Sequence, residues 1–307
     1  MAKCNALWNI TSRSNKASDQ IEKIVKIKLR RPVVTRWNSL FDCIRQLLTI
    51  KAHLEDVFKV VEMSALTIFE IEFLEEYVEA MTPVAMALDK LQTEKDLFYG
   101  SLYPVLMATK DELVKFSEKE SKRFGSCIAK ALLGGLEKRF KELIDSNLDE
   151  ASDAVFATAS HPYYKLSEFP TGKVQGIKRA FVEAVQNMSP RHEKPSFSSS
   201  SQGADSYFKR RRNEEESSSL PFTNLIELEC LQFFQDSQDT ISIFEHDAYP
   251  NVYRAFKKFN TSLASSAPVE RIFSYGKLIM TDRRTRLSDE MFEKLLVLKI
   301  KTRKLSV

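Results

Sequence analysis

The sequence predicts a mainly α-helical protein, and three observations support this fold class. Apolar residues recur at intervals of three and four along most of the chain, the spacing that places them on one face of a helix. Glycine, which destabilises helices, occurs only 8 times in 307 residues. Charged residues make up 29% and hydrophobic residues 43% of the chain, a balance that favours a helix-rich soluble protein.

Most of the first 188 residues have helical spacing. Helices are predicted over residues 16–29, several times between 40 and 80, and over 97–116, 128–148 and 178–188. Pro83 is expected near the start of a helix, and Pro104 is expected at a kink or a boundary. The apolar run at 153–159 predicts either a short strand or a buried apolar segment. A further helix is predicted over residues 222–234.

Residues 189–220 differ in composition from the rest of the chain. They are rich in serine and in charged residues, so they cannot bury enough apolar surface to order themselves, and a disordered linker is predicted. The linker contains a basic run formed by Lys209, Arg210, Arg211 and Arg212. Two interpretations are open: a nuclear localisation signal, or a solvated run neutralised by the acidic residues that follow.

Charge and cysteine usage restrict the function only loosely. The net charge of +4 is weak evidence for a polyanionic partner. The four cysteines are far apart and form no CxxC motif, so we expect reduced thiols in a cytoplasmic or nuclear protein. No apolar run reaches the 18 or so residues of a membrane span, and no membrane partner is expected.

Familiar catalytic motifs are scarce. The four histidines are isolated from any cysteine or histidine at zinc-binding spacing, and no P-loop, GxGxxG, GxSxG or HExxH motif occurs. A group of glutamates is predicted to form a solvated helix face: Glu72, Glu75, Glu76 and Glu79.

The densest set of features lies at residues 265–298. Pro268 fits the first turn of one helix, and a second helix is predicted to open at Ser288. Glu270 lies among apolar neighbours, so partial burial is expected, and a buried carboxylate needs a partner or a metal. From spacing alone, a structural ion pair with Arg271 or Arg283 explains Glu270 better than a functional role does.

Three segments in order carry a resemblance to a known family. The last includes SSAPVERIFS at 265–274, RRTRLS at 283–288 and EKLLVLK at 293–299; TRWNS at 35–39 and SHPYYKL at 160–166 precede it. Together they resemble hAT-superfamily DNA transposases, and the last segment resembles the C-terminal dimerisation region of that family.

The resemblance implies a particular architecture. It is a ribonuclease-H-like core, incomplete in this chain, interrupted by a large helical insertion. This architecture predicts four parts of the chain. Residues 1–39 are an edge of the core with the Arg-Trp motif, and residues 40–188 are the insertion domain. The linker follows at 189–220, and the rest of the core with the dimerisation region lies at 221–307.

The resemblance also implies roles for individual residues. Glu270 matches the last acid of a triad of two Asp and one Glu that binds two divalent metals. From the sequence alone, core burial is the favoured interpretation of Trp37. The resemblance instead matches Trp37 to a residue near the active site, where stacking on an unpaired base would be its role. The expected DNA-contacting residues are Trp37, Arg36, Lys277, Arg283, Arg284 and Arg286. The expected dimerisation residues are Phe292, Leu295, Leu296 and Leu298.

One departure from the family pattern shapes the functional expectation. The two upstream aspartates are missing, since Asp19 is the one Asp before Arg36 and has a polar helical context. We therefore expect a transposase-derived protein without its own catalysis or cofactor, with Mg²⁺ or Mn²⁺ binding only if a longer chain supplies the missing acids. It would self-associate, or pair with a related hAT protein, in the nucleus. The alternatives are a fragment of an active metal-dependent transposase and a DNA-binding helical scaffold.

Overall fold

The structure, a computed structural model, describes residues 1–34, 36, 38–93, 98–119, 122–144, 148–188, 222–281 and 286–304. Helices dominate these ranges and no β-strand occurs in them, so the mainly α prediction is confirmed. A ribonuclease-H-like core stays a prediction.

In chain order the helices are α1 (Ala2–Arg13), α2 (Asn15–Val25), α3 (Ser39–Thr49), α4 (Leu54–Val60), α5 (Ile68–Leu91), α6 (Leu102–Ser117), α7 (Gly125–Arg139), α8 (Lys141–Ile144), α9 (Asp153–Ser160), α10 (Thr171–Met188), α11 (Phe222–Gln235), α12 (Pro250–Asn260), α13 (Ala267–Ile279) and α14 (Asp289–Lys304). Short 3-10 helices lie at Lys51–His53, Tyr99–Ser101 and Ile241–Asp247.

The chain divides into two compact units. Unit 1 comprises Met1–Asp96, Val105–Ser146 and Ser265–Val307, and unit 2 comprises Leu97–Pro104 and Asn147–Ala264. The predicted insertion domain at 40–188 contributes residues to both units. The predicted linker at 189–220 lies outside the described residues.

The first five helices share a core in unit 1. Each contributes at least one fully buried side chain: Trp8 from α1, Ile21 from α2, Ile44 from α3, Phe58 from α4 and Leu74 from α5. These residues recur at helical spacing in the sequence, and burying such large apolar side chains is the main favourable contribution to folding.

Helix α5 is longer than the sequence predicted. Thr67 and Glu70 form a reciprocal capping box, with Glu70 N–H donating to Thr67 Oγ1 at 3.2 Å, and this starts the helix at Ile68. The helix then runs to Leu91 with Pro83 inside it, so the expectation of a helix start near Pro83 was wrong. Burial of Ala80 and Ala85 on either side keeps the helix packed across the proline.

The glutamate face of α5 is not uniformly solvated. Glu76 is only 3% exposed, and its carboxylate accepts hydrogen bonds from the backbone N–H groups that open α7: Phe124 and Gly125 at 2.6 Å and Arg123 at 3.2 Å. The prediction of a solvated face was therefore wrong at Glu76. The first N–H groups of a helix lack intrahelical partners, and a carboxylate is a favourable acceptor for them.

Aromatic side chains dominate the core of unit 2. The Phe156 ring of α9 lies 5.9 Å from the Phe181 ring of α10 and 5.1 Å from the Phe259 ring of α12. Residues 153–159, for which a strand or a buried apolar segment was predicted, form the buried helix α9. Ser152 starts this helix by accepting the N–H of Val155 at 3.4 Å, which excludes the strand.

A buried polar network joins three segments of unit 2. The Asn260 side chain at the end of α12 accepts the Gly100 N–H at 2.8 Å and donates to the Ala157 carbonyl at 3.1 Å. The Thr158 hydroxyl donates to the Gly100 carbonyl at 2.9 Å. Buried polar groups need such partners, so this network fixes where α9 and α12 meet the 3-10 helix at Tyr99–Ser101.

All four cysteines are free thiols, and only Cys127 is exposed. No helix in the described part of the chain combines the length and the apolar character that a transmembrane segment requires.

Candidate functional site

The start of α13 is set by its sequence, because Pro268 occupies the first turn. Ser266 precedes the helix, but its side chain makes no capping hydrogen bond to the backbone. Its hydroxyl instead donates to Glu270 Oε1 at 2.6 Å, and both residues are exposed. The expected partial burial of Glu270 was therefore wrong, because its apolar neighbours do not enclose it.

The same segment contacts α5 through other residues. The Ser265 hydroxyl donates to the Leu91 carbonyl at 2.6 Å, and Arg271 Nη2 donates to the Gln92 carbonyl. Leu91 is the last residue of α5 and Gln92 follows it, so these carbonyls belong to the end of that helix. Ala267, also near the start of α13, is buried.

Helix α14 begins at Asp289, directly after the predicted Ser288. The Ser288 hydroxyl accepts the N–H of Met291 at 3.3 Å, and the acids Asp289 and Glu290 lie in the first turn, where they complement the helix dipole. Glu290 also pairs with Lys294 at 2.6 Å along the helix surface. Local sequence thus explains where this helix starts.

Helices α13 and α14 pack on each other where a glycine leaves room for an aromatic ring. A Cβ atom added to Gly276 would lie 3.2 Å from Phe292 Cζ, which is closer than an ordinary contact. Gly276 and Ile279 are both buried. We call α13 and α14 the C-terminal helix pair.

Large apolar side chains nevertheless stay exposed on the C-terminal helix pair. Phe273 is 73% exposed and Leu298 is 57% exposed. Five further residues of the same kind are Val269, Ile272, Leu278, Met291 and Val297, and Met280, directly after α13, is exposed as well. Exposed apolar surface concentrated in one region is a mark of protein–protein interaction sites.

Residues 204–301 match the family model of the hAT family C-terminal dimerisation region. The match supports an hAT-family, transposase-derived C-terminal portion of the chain. The match includes α11, α12, α13 and most of α14, so it contains the exposed apolar residues of the C-terminal helix pair. A comparison with curated proteins gave no match. The hAT dimerisation region supports self-association of the chain and a relationship to hAT transposases.

The predicted dimerisation residues occupy different environments on α14 of the hAT region. Leu298 is exposed, whereas Leu295 and Leu296 are partly buried. Phe292 is also partly buried and packs against Gly276 of the same chain. On α13 the sequence predicted one apolar helical face formed by Ile272, Phe273, Leu278 and Ile279, without assigning these residues to dimerisation. Periodicity does not distinguish a buried residue from an exposed one, and only Ile279 of these four is buried.

The predicted DNA-contacting residues are only partly described by the structure. Arg36, Lys277 and Arg286 are exposed, and none forms an ion pair with a described carboxylate. Trp37, Arg283, Arg284 and the basic run Lys209, Arg210, Arg211 and Arg212 lie outside the described residues.

Among the described residues, no metal-binding arrangement surrounds Glu270. Across the described ranges, no three His, Cys, Asp or Glu side chains come together in a way that could hold a metal ion. Glu270 is exposed and hydrogen-bonded to Ser266. The described residues therefore do not fit the two-metal site implied by the family triad.

In the central segment that resembles the hAT family, residues 160–166, the first three residues are buried in unit 2, whereas Tyr163 is exposed. His161 is buried, and its ring lies 5.3 Å from Phe98 and 5.9 Å from Phe256. Lys165 donates to the carbonyls of Asp236 at 2.5 Å and Gln238 at 3.0 Å, just after α11. Burial lowers the pKa of Lys165, although nearby aspartates oppose this effect. These contacts give the segment a packing role.

Proposed function

We propose that the chain acts as a transposase-derived interaction protein, which self-associates or pairs with a related hAT chain through the C-terminal helix pair. The observation that carries this proposal is the group of exposed apolar side chains on α13 and α14, inside the region that matches the hAT dimerisation family. A second copy would remove these side chains from water.

Burial of these side chains against a second copy would favour association. Burying one large apolar side chain such as Phe273 is worth about 1.5–3 kcal/mol, and several such residues lie on the same helix pair. Residues near the centre of an interface contribute most, so a few substitutions should have large effects.

The test compares charged substitutions on and off the C-terminal helix pair. Phe273→Glu and Leu298→Glu each place a charge on the proposed surface, while glutamate remains a good helix former. Met86→Glu is the matched control, because Met86 is an exposed apolar residue on α5. Sedimentation equilibrium on the full chain should show a dimer that the first two variants weaken and the control leaves intact. A wild-type monomer at tens of micromolar, or equal effects of all three substitutions, would reject the proposal.

Catalysis by this chain alone is not part of the proposed function. The exposed position of Glu270 and its contact with Ser266 support this view. The test is cleavage of transposon-end DNA by the purified chain with Mg²⁺ or Mn²⁺. Cleavage that disappears in Glu270→Ala would establish the alternative, an active metal-dependent transposase.

DNA binding is a second candidate, favoured by the exposed cations Arg36, Lys277 and Arg286, which have no carboxylate partner among the described residues. Binding through phosphates would weaken steeply as the salt concentration rises, and each lost cation would reduce that dependence. Lack of binding at low salt would reject this candidate.

Two further features complete the proposal. The protein would be nuclear through the run Lys209–Arg212, which is tested by replacing those four residues with alanine and imaging a fluorescent fusion.

The helices would be the helical parts of a ribonuclease-H-like transposase architecture. A structure of a longer related chain that carries a β-sheet beside the same helices would support this, and the same helices folded without any sheet would count against it.

A further inference from the structure

The polar side chains of the segment Ser265–Arg271 lie in two different environments. Ser266 and Glu270 contact each other at 2.6 Å in an exposed position. Ser265 and Arg271 instead donate to the carbonyls of Leu91 and Gln92. One half of this short motif is thus exposed, and the other half binds the end of α5.

The contacts with α5 have a clear physical basis. The last four carbonyls of a helix have no intrahelical partner, and they carry the negative end of the helix dipole. A hydroxyl and a guanidinium are favourable donors there, and a hydrogen bond from a charged donor is stronger than a neutral one. Ser265 and Arg271 therefore cap the end of α5 from more than 170 positions further along the chain.

This cap fixes the start of α13 relative to the end of α5. Near that start Ala267 is buried, whereas Val269 and Phe273 are exposed. If the start of α13 came away from α5, the exposed side of the helix would lose its fixed orientation. If only a fraction of the chains has the arrangement that binds, the apparent affinity falls to that fraction of its full value.

We propose that Arg271 is a positioning residue for self-association, which holds α13 on the end of α5 so that Val269 and Phe273 face a second copy of the chain. This inference rests on the proposed function, because it requires the C-terminal helix pair to form the interface. Arg271 does not itself lie in that interface. It acts through the orientation of α13.

The experiment uses the full chain and compares Arg271→Ala, Arg271→Lys and the control Arg45→Ala. Arg45 is an exposed arginine on α3 of the same unit, away from the C-terminal helix pair in the sequence. Sedimentation equilibrium gives the dimer dissociation constant, and hydrogen exchange of the α13 amides reports whether the helix stays docked. We expect Arg271→Ala to raise the dissociation constant at least about tenfold and to lower protection in α13. Arg271→Lys should restore part of the affinity and part of the protection, because lysine keeps the charge and a donor, and Arg45→Ala should change neither.

The outcomes separate this inference from the proposed function. If Phe273→Glu abolishes the dimer while Arg271→Ala changes the dissociation constant by less than about twofold, the positioning role is rejected and the interface stands. If Arg271→Ala lowers protection throughout unit 1 and lysine restores nothing, the residue serves folding alone and the inference is also rejected. A chain that is monomeric at every concentration overturns both proposals.

Discussion

The carboxylate of Glu76 lies 2.6 Å from the backbone nitrogen of Gly125, whose N–H it accepts at the start of α7. The residues are 49 positions apart, and Glu76 also accepts the N–H groups of Phe124 and Arg123. One side chain therefore satisfies three backbone donors that the helix itself cannot satisfy. This contact fixes α7 against α5 inside unit 1.

Replacing Glu76 by glutamine should destabilise the protein at neutral pH. The amide keeps the shape of the side chain but loses the negative charge that strengthens the hydrogen bonds, so we expect a loss of about 2 kcal/mol in the free energy of unfolding. Urea unfolding followed by circular dichroism measures it. Glu79→Gln is the control, because Glu79 forms only a half-exposed ion pair with Lys122 and should change stability by less than about 1 kcal/mol. If Glu76→Gln and Glu79→Gln lowered the unfolding free energy equally, the hydrogen bonds between Glu76 and the start of α7 would not explain the effect.

The stabilisation by Glu76 should depend on pH. Burial raises the pKa of Glu76, but the hydrogen bonds from Gly125, Phe124 and Arg123 together hold it below its ordinary value of 4.5. A folded-state pKa below that of the unfolded chain means that the stabilisation is present above the unfolded-chain pKa and is lost as the pH falls through the folded-state pKa. The difference in unfolding free energy between wild type and Glu76→Gln should therefore shrink in acid. A constant difference down to the acid transition would contradict this assignment.

A methyl group at Gly100 should disrupt the polar network of unit 2. An added Cβ would lie 2.5 Å from the carbonyl oxygen of Ala157, so the backbone would have to move and the bond from Gly100 N–H to Asn260 would be strained. We expect Gly100→Ala to cost about 2 kcal/mol of unfolding free energy. The amides of α9 and α12 should exchange hydrogen faster in Gly100→Ala than in the wild type.

Gly172→Ala is the matched control for that substitution. Gly172 lies in α10, and an added Cβ would meet nothing within 4 Å. Because alanine restricts the unfolded chain more than glycine, this variant should be neutral or more stable by about 0.4–1 kcal/mol. If both variants lost the same stability, the close approach at Gly100 would not be the cause.

Only one thiol should react quickly in the folded protein. Cys127 is exposed, whereas Cys4, Cys43 and Cys230 are buried. Burial raises the pKa of Cys4 and Cys43, and burial together with Glu229 and Glu227 raises the pKa of Cys230 to about 12. Because the thiolate is the reactive form, these groups should stay unmodified. Titration with a disulfide reagent should give one fast thiol in native conditions, none in Cys127→Ser, and all four in urea. Two or more fast thiols in the native chain would contradict the described burial.

Local sequence features predicted the helices well where the relevant contacts are short-range. The prediction of a helix over residues 222–234 agrees with α11, and Pro268 and Ser288 marked the starts of α13 and α14 to within a residue. Proline geometry and serine capping act within one helical turn, so the sequence alone is sufficient to recognise them.

Contacts between distant segments explain what the sequence could not predict. Glu75, Glu76 and Glu79 have the same chemistry, and only the position of α7 makes Glu76 the buried member. On α14, Phe292 and Leu298 follow the same apolar pattern, yet Gly276 of α13 provides a packing site for Phe292 alone. Which residues of α14 are exposed therefore depends on where α13 packs, and sequence periodicity does not predict that position.

The contact between Gly276 and Phe292 should control how well the C-terminal helix pair associates with a second copy. Gly276→Ala should have a small net effect, because alanine gains up to about 1 kcal/mol in helix propensity while the Phe292 ring must shift by a few tenths of an ångström. Gly276→Val adds branched bulk that this shift cannot accommodate. It should separate α13 from α14 and weaken self-association, measured as a higher dimer dissociation constant. Combining Gly276→Val with Phe292→Ala removes the ring from the point of contact, so the double variant should associate more tightly than Gly276→Val alone. Equal weakening in the single and double variants would show that the two residues act independently, contrary to the packing described for α13 and α14.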